Sequence, residues 1–350
     1  MRLVGGQSIQ ADYIFRGLQH ETAVAMSFQA IDPALPRVLS SLQRIRYVRT
    51  GVTFPLYCVQ LFFSVLRCDV LHIFSASYFS FVLATTPAVF LGRLFGKKVV
   101  VNYHSGEAED HLRRWPSAVR MLRRAHSLVV PSPYLVRVLA QFGLRATAIG
   151  NAIDLQSFRF RQRRELRPAF LANRNFEALY NVAGVLRAFA MIQRERPDAI
   201  LTVAGDGAQR DALHDLARQL QLRNVQFVGR VAPEDMPALY DRHDLWLNAS
   251  DVDNMPLSIL EAFASGVAVV STNPGGIPDI VEHGRTGMLS ACGDERALAQ
   301  NALALLHQPA LAQQLTSNGK AESEKYTWAP IRRQWLALYA QLLDPVAPES

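Results

Sequence analysis

Cysteine is scarce: Cys58, Cys68 and Cys292 are the three in 350 residues, and none has the spacing of a metal knuckle or a redox dithiol. A disulfide scaffold and thiol redox chemistry are therefore set aside, and a reducing compartment with buried thiols is expected. The full G-x-G-x-x-G spacing is missing after Gly5 and Gly6, which leaves a dinucleotide dehydrogenase poorly supported. Nucleic-acid motifs and interleaved stacking aromatics are also lacking, so nucleic acid is not expected as a partner despite a pI near 9.5. No secretory leader is legible at the start, and a cytoplasmic setting is expected. Two apolar runs fall short of a membrane span, which needs about 20 predominantly apolar residues. Residues 52–66 make 15 and contain Pro55; residues 73–92 make 20 without charge, but carry Pro87 and several Ser and Thr. The second run reads better as a buried strand and helix.

What remains is a chain rich enough in apolar residues (49%) for a sizeable core, with 19% charged residues and a length that suits two domains. Its charge is uneven. Residues 1–150 hold 17 Lys/Arg against 7 Asp/Glu, net +10, while residues 151–350 hold 20 against 23, net −3. A basic half invites an anionic lipid surface or a phosphorylated substrate. Arg37, Arg44, Arg46 and Arg49 alternate with Leu39, Leu42, Ile45 and Val48, a pattern of a basic amphipathic helix. It is read equally as a membrane-surface segment and as a solvated face.

Short apolar runs alternate with helical patterns along the chain. Residues 1–4, 24–31, 69–75, 97–103 and 127–132 read as strands of a first domain, and residues 170–172, 199–204, 225–228 and 267–270 as strands of a second, with residues 245–247 leading to the stretch that holds the last. The βα alternation predicts an α/β fold with parallel sheets, whose ligands lie beyond the carboxyl ends of the strands. Residues 1–4 are short for a central strand, so either an upstream start or a stunted strand is expected. His104 follows the strand at residues 97–103, and Arg113, Arg114, Arg120, Arg123 and Arg124 follow it in turn. These arginines are read as a solvated face or as a site for an anionic acceptor. Trp328, Ile331, Trp335, Tyr339 and Leu342 form one stripe of a closing helix.

The most informative stretch is DVDNMPLSILEAFASGVAVVSTNPGGIPDIV, residues 251–281. Pro256 suits a helix's first turn, Asp253 or Asn254 can cap it, and Gly266 can stop it. A strand follows, then the turn Pro274-Gly275-Gly276, and Pro278 opens a further helix. Asp253 and Glu261 bracket the first helix. Its N-terminus suits phosphate or sugar oxygens, and Glu261 would be costly to bury without partners.

This stretch resembles the signature of retaining glycosyltransferase family four, a nucleotide-sugar-dependent family with the GT-B fold: Glu, seven residues, Glu, then Ala-x-Ala-x-Gly, a strand and a Gly-Gly turn. Glu261, Ala262, Ala264 and Gly266 match the second half, while Asp253 stands in place of the first Glu. The resemblance implies two Rossmann-like domains with parallel sheets facing across a cleft. It implies that Asp253 binds the donor sugar's hydroxyls, that backbone N–H groups near Asn254, Met255, Pro256 and Leu257 cradle sugar and phosphate, and that Glu261 binds ribose. Gly5 and Gly6 would approach donor phosphate or acceptor, and the strand end at Gly229 and Arg230 would lie against the nucleotide base. His104, matching the family's strand-His-Gly position with a Ser inserted, would act near the reacting carbon.

The family also grips the donor diphosphate with an Arg and, six residues later, a Lys. Arg174 keeps the first, but position 180 is Tyr180. GNAIDLQSF, residues 150–158, resembles the family's exit from the first domain, and the Arg-rich residues 159–167 read as linker. The expected division is thus an acceptor-side domain at 1–158, a donor domain at 159–330 and a helix at 331–350 returning toward the first.

The implied reaction is retaining transfer of a sugar from a nucleotide-sugar to an acceptor hydroxyl, with a glycan or lipid-linked acceptor of polysaccharide or glycolipid synthesis. His104, Asp253 and Arg174 would carry the chemistry, with no metal and no cofactor beyond the donor. Asp251 and Asp253 spell the Asp-x-Asp that holds a divalent metal in a different glycosyltransferase fold, a match read as accidental. The enzyme is expected to be cytoplasmic, at most peripheral on the inner face of a membrane. A nucleotide-sugar epimerase on the same fold and a non-catalytic homologue are the rivals.

Overall fold

The computed structural model describes residues 6–31, 33, 46–75 and 77–344. The chain divides into two compact units, one of Met1–Ile149 with Arg332–Ser350 and one of Gly150–Ile331. The division thus falls ahead of the expected 158. Gly5, the strand expected at residues 1–4, Arg37 and Arg44 lie outside the described residues.

In the first unit α1 (Gly6–Leu18) and α2 (Arg46–Leu66) precede β1 (Val70–Ser75). Next come α3 (Tyr78–Ser80), a π-helical turn at Phe81–Thr85, α4 (Thr86–Leu94) and β2 (Lys98–Tyr103). They are followed by α5 (Ala108–Arg114), α6 (Pro116–Leu122), β3 (Ser127–Val130), α7 (Pro133–Gln141) and β4 (Thr147–Ala148). The four strands are parallel and lie in chain order, with Val70 opposite Lys98 and Val100 opposite Ser127. Val99, Val100 and Val101 are wholly buried, as strands covered on both faces require. Residues 24–31 form no strand, against the alternation. Gln29 instead donates to Gln60 Oε1 (2.9 Å) and accepts from Ser64 Oγ (3.2 Å), so side-chain bonds to α2 replace a strand ladder.

The second unit runs β5 (Ala169–Ala172), α8 (Val182–Glu195), β6 (Ile200–Ala204), α9 (Arg210–Gln219) and β7 (Val225–Gly229). Then come α10 (Met236–Arg242), β8 (Leu245–Asn248), α11 (Leu257–Ser265), β9 (Ala268–Thr272) and β10 (Met288–Ser290). Helices α12 (Glu295–His307) and α13 (Pro309–Ser323) complete it, before α14 (Trp328–Leu343) enters the first unit's portion at Arg332. Six parallel strands stand in the order β10-β9-β8-β5-β6-β7.

The Arg-rich residues 159–167 are not a free linker. Asp244, almost wholly buried, accepts from Arg161 Nη2 (2.5 Å), Arg163 Nε (2.8 Å) and Arg167 Nη2 (2.9 Å). Arg163 also donates to the carbonyls of Ser265, Gly266 and His243 at 2.6 to 2.7 Å, closing the end of α11. Burial alone would raise the Asp244 carboxyl, but hydrogen bonds from Arg167 and Arg163 more than reverse that and hold it well below the usual range. A buried charge is tolerated here because it is multiply paired.

Among the described residues no helix is long and apolar enough to cross a membrane. The run at 52–66 is most of α2, and the run at 73–92 is strand plus helix, but it is not buried throughout as expected: Phe79, Val82 and Phe90 stand exposed.

Candidate active site

The sheet of the second unit reverses direction between β5 and β8. From β5 the chain builds outward through β6 and β7; from β8 it builds outward the other way through β9 and β10. Such a switch point opens a crevice beyond the carboxyl ends of the two strands. Asn173 and Arg174 follow β5 directly, and the loop holding Asp253 and Asn254 follows β8.

Arg174 and Asp253 meet there. Nη2 of Arg174 donates to Oδ2 of Asp253 at 2.5 Å, and both side chains are about nine-tenths buried, at 12% and 9% exposure. Nη1 reaches Ser258 Oγ at 3.4 Å in the first turn of α11. The Tyr180 ring, where the family pattern has Lys, lies 4.1 Å from the guanidinium carbon. An aromatic face takes the place of a second cation and attracts Arg174 through its quadrupole. Nε of Arg174 is buried and makes no hydrogen bond among the described residues. Burial raises the Asp253 carboxyl above its ordinary value, although Arg174 and the Asn254 N–H, which donates to Oδ1 at 2.9 Å, pull it back. Asp253 therefore does not cap α11. Pro256 stands at the cap with no side-chain bond, because Asp253 is turned to Arg174 and to its neighbour's N–H.

Helix α11 is buried on nearly every side, and Leu257 and Glu261 are its partly exposed residues. Its Gly266 closes it in the left-handed conformation (φ 68°), as expected. Oε2 of Glu261 accepts from the Tyr240 hydroxyl at 2.9 Å. That hydroxyl also accepts from Asn173 Nδ2 (2.8 Å), and Asn173 Oδ1 accepts from Trp246 Nε1 (2.5 Å). A relay from the centre of β8 thus aims the carboxylate. Burial pushes the Glu261 carboxyl up to about 7, with Tyr240 and Arg174 opposing. Burial and the Glu261 charge raise the Tyr240 phenol well above its ordinary value, so it stays a donor.

The loop before α11 is fixed from two directions. Gly276 permits the approach of the second turn: a Cβ there would stand 2.2 Å from the Asn254 carbonyl oxygen. Asn151, from the motif at residues 150–158, donates Nδ2 to the Met255 carbonyl (3.1 Å) and its N–H to the Met255 sulfur (3.3 Å). Pro278 opens a single 3₁₀ turn, Ile277–Asp279, and not the longer helix its position suggested, since the chain turns again within a few residues. Gly229 ends β7 with φ 71°, and the exposed Arg230 lies 3.9 Å from Asp206.

Sequence reasoning missed Tyr240, Asn173, Trp246 and Ser258. Nothing local marks them; they enter through partners distant in the chain. Of the first-unit residues, Gly6 opens α1. His104 follows β2, its N–H donating to the Ser75 carbonyl at 3.2 Å. Burial lowers its imidazole to about 4, so it is neutral at ordinary pH, and its Nε2 is buried without a bond among the described residues.

The Glycosyltransferase Family 4 model matches residues 5–157, and the Glycosyl transferases group 1 model matches residues 156–322. A glycogen synthase of Mycobacterium tuberculosis is 32% identical over 247 residues, which are 66% of this chain and 60% of that enzyme. The N-acetyl-alpha-D-glucosaminyl L-malate synthase of Bacillus anthracis is 32% identical over 171 residues, 48% of this chain and 44% of that one. The chain thus spans less than two thirds of these relatives. Among solved structures, Anabaena HepE in complex with UDP-glucose aligns with a TM-score of 0.71 at 20% identity, covering 81% of this chain and 82% of that one. Sucrose-phosphate synthase from Thermosynechococcus elongatus aligns with a TM-score of 0.75 at 19% identity, covering 98% and 94%. The α/β fold of two parallel-sheet units is the GT-B fold expected from the sequence.

Proposed function

The chain belongs to the group 1, family four glycosyltransferases, and on that premise we propose that it moves a sugar from a nucleotide-sugar to an acceptor hydroxyl with retention at the anomeric carbon. The observation that carries this is the cluster at the β5–β8 switch point. There Arg174 holds Asp253 at 2.5 Å while its Nε is buried without a bond, and Glu261 is aimed by Tyr240.

Each group has a task. The Arg174 guanidinium and the backbone N–H groups at the start of α11 stabilise negative charge growing on the departing diphosphate, fixed in place before the reaction. Asp253 accepts hydrogen bonds from the donor sugar's hydroxyls, and Glu261 from the ribose hydroxyls. His104, neutral, donates or accepts a hydrogen bond near the reacting carbon. No protein nucleophile is required for attack on the same face that the diphosphate leaves. No metal is needed either. The Asp-x-Asp carboxylates are engaged apart, Asp253 with Arg174 and Asp251 with Asn181 Nδ2 at 3.5 Å. HepE is solved in complex with UDP-glucose, which makes uridine diphosphate sugars the first donors to test. The acceptor is a glycan or lipid-linked intermediate, used at the inner face of a membrane to which the protein binds peripherally.

The test is a thermal-shift screen with UDP, GDP and ADP and their sugars, followed by NMR of the product's anomeric proton. A ligand at 100 times its dissociation constant adds about 2.7 kcal/mol, readily seen as a shift. Inversion at the anomeric carbon would refute retention, and loss of activity with chelator, restored by manganese or magnesium, would refute the metal-free reading. Tyr180 in the family's Lys position favours one rival, a homologue that binds nucleotide without transfer; binding without turnover across the donor panel would decide for it.

A further inference from the structure

Helix α2 is apolar on two opposite faces. Inward, Tyr57, Leu61 and Val65 are buried, and the Tyr57 hydroxyl donates to the Ala84 carbonyl at 2.9 Å. Outward, Pro55, Val59, Phe62, Phe63 and Leu66 are exposed at helical spacing, with Val59 at 55% and Phe63 at 54%. A helix apolar all round is ordinarily buried all round. The neighbouring helical segment repeats the pattern: Phe79, Val82, Phe90 (50%) and Leu94 (62%) face outward. Phe62 packs edge-on against Phe95 at 5.4 Å, which joins the two stripes into one surface. Scattered exposed apolar residues are ordinary, but a continuous patch marks an interaction surface.

Charge names the partner. Residues 33–106 contain eight basic residues (Arg37, Arg44, Arg46, Arg49, Arg67, Arg93, Lys97, Lys98) and one acidic residue, Asp69. Their net +7 equals that of the whole chain, so everything outside this segment sums to zero. Arg67 leaves the end of α2, and Lys98 leads β2 beside it, its N–H bonded to the Asp69 carbonyl at 3.0 Å. A bilayer with anionic headgroups offers both things this surface lacks, an apolar layer for the phenylalanines and phosphates above it for the cations.

We propose that the exposed face of α2 and α4, with its basic rim, docks the first unit into the interface of an anionic membrane. The inference rests on the reading above for the membrane-side acceptor and the peripheral binding, and names the surface that does it; nucleotide binding belongs to the second unit and is measured separately.

The experiment is co-sedimentation of the full chain with vesicles of phosphatidylglycerol mixed with phosphatidylcholine and with phosphatidylcholine alone, across a salt series, with UDP affinity measured on each protein. Wild type is expected to bind the anionic vesicles preferentially and to lose binding as salt rises. The triple variant Phe63→Ser, Phe90→Ser, Leu94→Ser is expected to bind about tenfold to a hundredfold more weakly. Ile200→Ser with Val228→Ser, equally exposed apolar sites on the second unit, is expected to bind as wild type. Should the triple variant fold poorly by its melting profile, Arg67→Gln with Lys97→Gln tests the rim instead, with about a thirtyfold loss expected. No binding by wild type, indifference to lipid charge, or unchanged binding by folded patch or rim variants would overturn the proposal. So would a wild-type dimer that the triple variant converts to monomer, since a second copy would then cover the face. Absence of UDP binding in every protein would refute the donor-site reading while leaving the vesicle comparison decisive for this one.

Discussion

Glu261 should titrate within the range where nucleotide binding is usually measured. Burial lifts its carboxyl from the ordinary 4.5 to about 7, and the Tyr240 hydroxyl holds one of its oxygens. Because the folded value lies above the unfolded one, the neutral acid stabilises the empty unit, and that contribution is lost as pH rises through about 7. A ribose presents two hydroxyl donors, which favour the carboxylate. Nucleotide should therefore bind the ionised form and release a proton on binding at low pH. With a value of about 7, roughly one-tenth of Glu261 is ionised at pH 6 and roughly nine-tenths at pH 8. Affinity should rise about ninefold across that range, close to 1.3 kcal/mol. The assay is isothermal titration of UDP at pH 6, 7 and 8, in two buffers of different ionisation enthalpy, on wild type and on Glu261→Gln. The difference between the two proteins cancels titration of the nucleotide's own phosphate. A pH profile shared by wild type and Glu261→Gln would refute the reasoning, because the carboxylate would then not be the group that meets the ribose.

Three further outcomes are expected from the same site and its surroundings. Tyr180→Lys restores a cation beside Arg174 at the loss of the ring 4.1 Å from it, and should tighten UDP binding several-fold at low salt but little at high salt; unchanged affinity would place the diphosphate elsewhere. Asp244→Asn leaves Arg163 buried with an uncompensated charge, and should cost about 3 to 5 kcal/mol in urea unfolding; a loss below about 1 kcal/mol would show the clamp to be incidental. Tyr240→Phe removes the donor to Glu261 and the acceptor of Asn173 while keeping the ring. It should weaken UDP binding about tenfold with little change in melting temperature, whereas an unfolded protein would assign the phenol to stability alone.

The parts of this molecule legible in the sequence are those whose chemistry is local. Strands such as residues 98–103 show as apolar runs because both faces are covered, and Gly266 marks the end of α11 because a left-handed residue is needed there. Asp253 and Glu261 stand out in the sequence through one helix and the motif around it. Tyr240 and Asn173 do not, because the bonds that give them meaning join residues 21 and 67 positions apart. The Arg-rich residues 159–167 read as solvated linker, since nothing in that run shows that one buried aspartate, Asp244, collects three of its cations. The alternation at residues 24–31 misled for the converse reason: pattern alone does not supply a strand to pair with, and Gln29 bonded to α2 instead.

The central claim is that Asp253 and Glu261 serve different halves of one donor, and titration of UDP and of its sugar into Asp253→Ala and Glu261→Ala, each first shown folded, tests it most directly. Glu261→Ala should weaken UDP and UDP-sugar alike, by about tenfold to a hundredfold, the worth of a hydrogen bond to a charged group. Asp253→Ala should leave UDP affinity nearly intact and lower transfer. If the two substitutions lose UDP binding equally, or neither affects it, this stretch of the chain does not hold the donor.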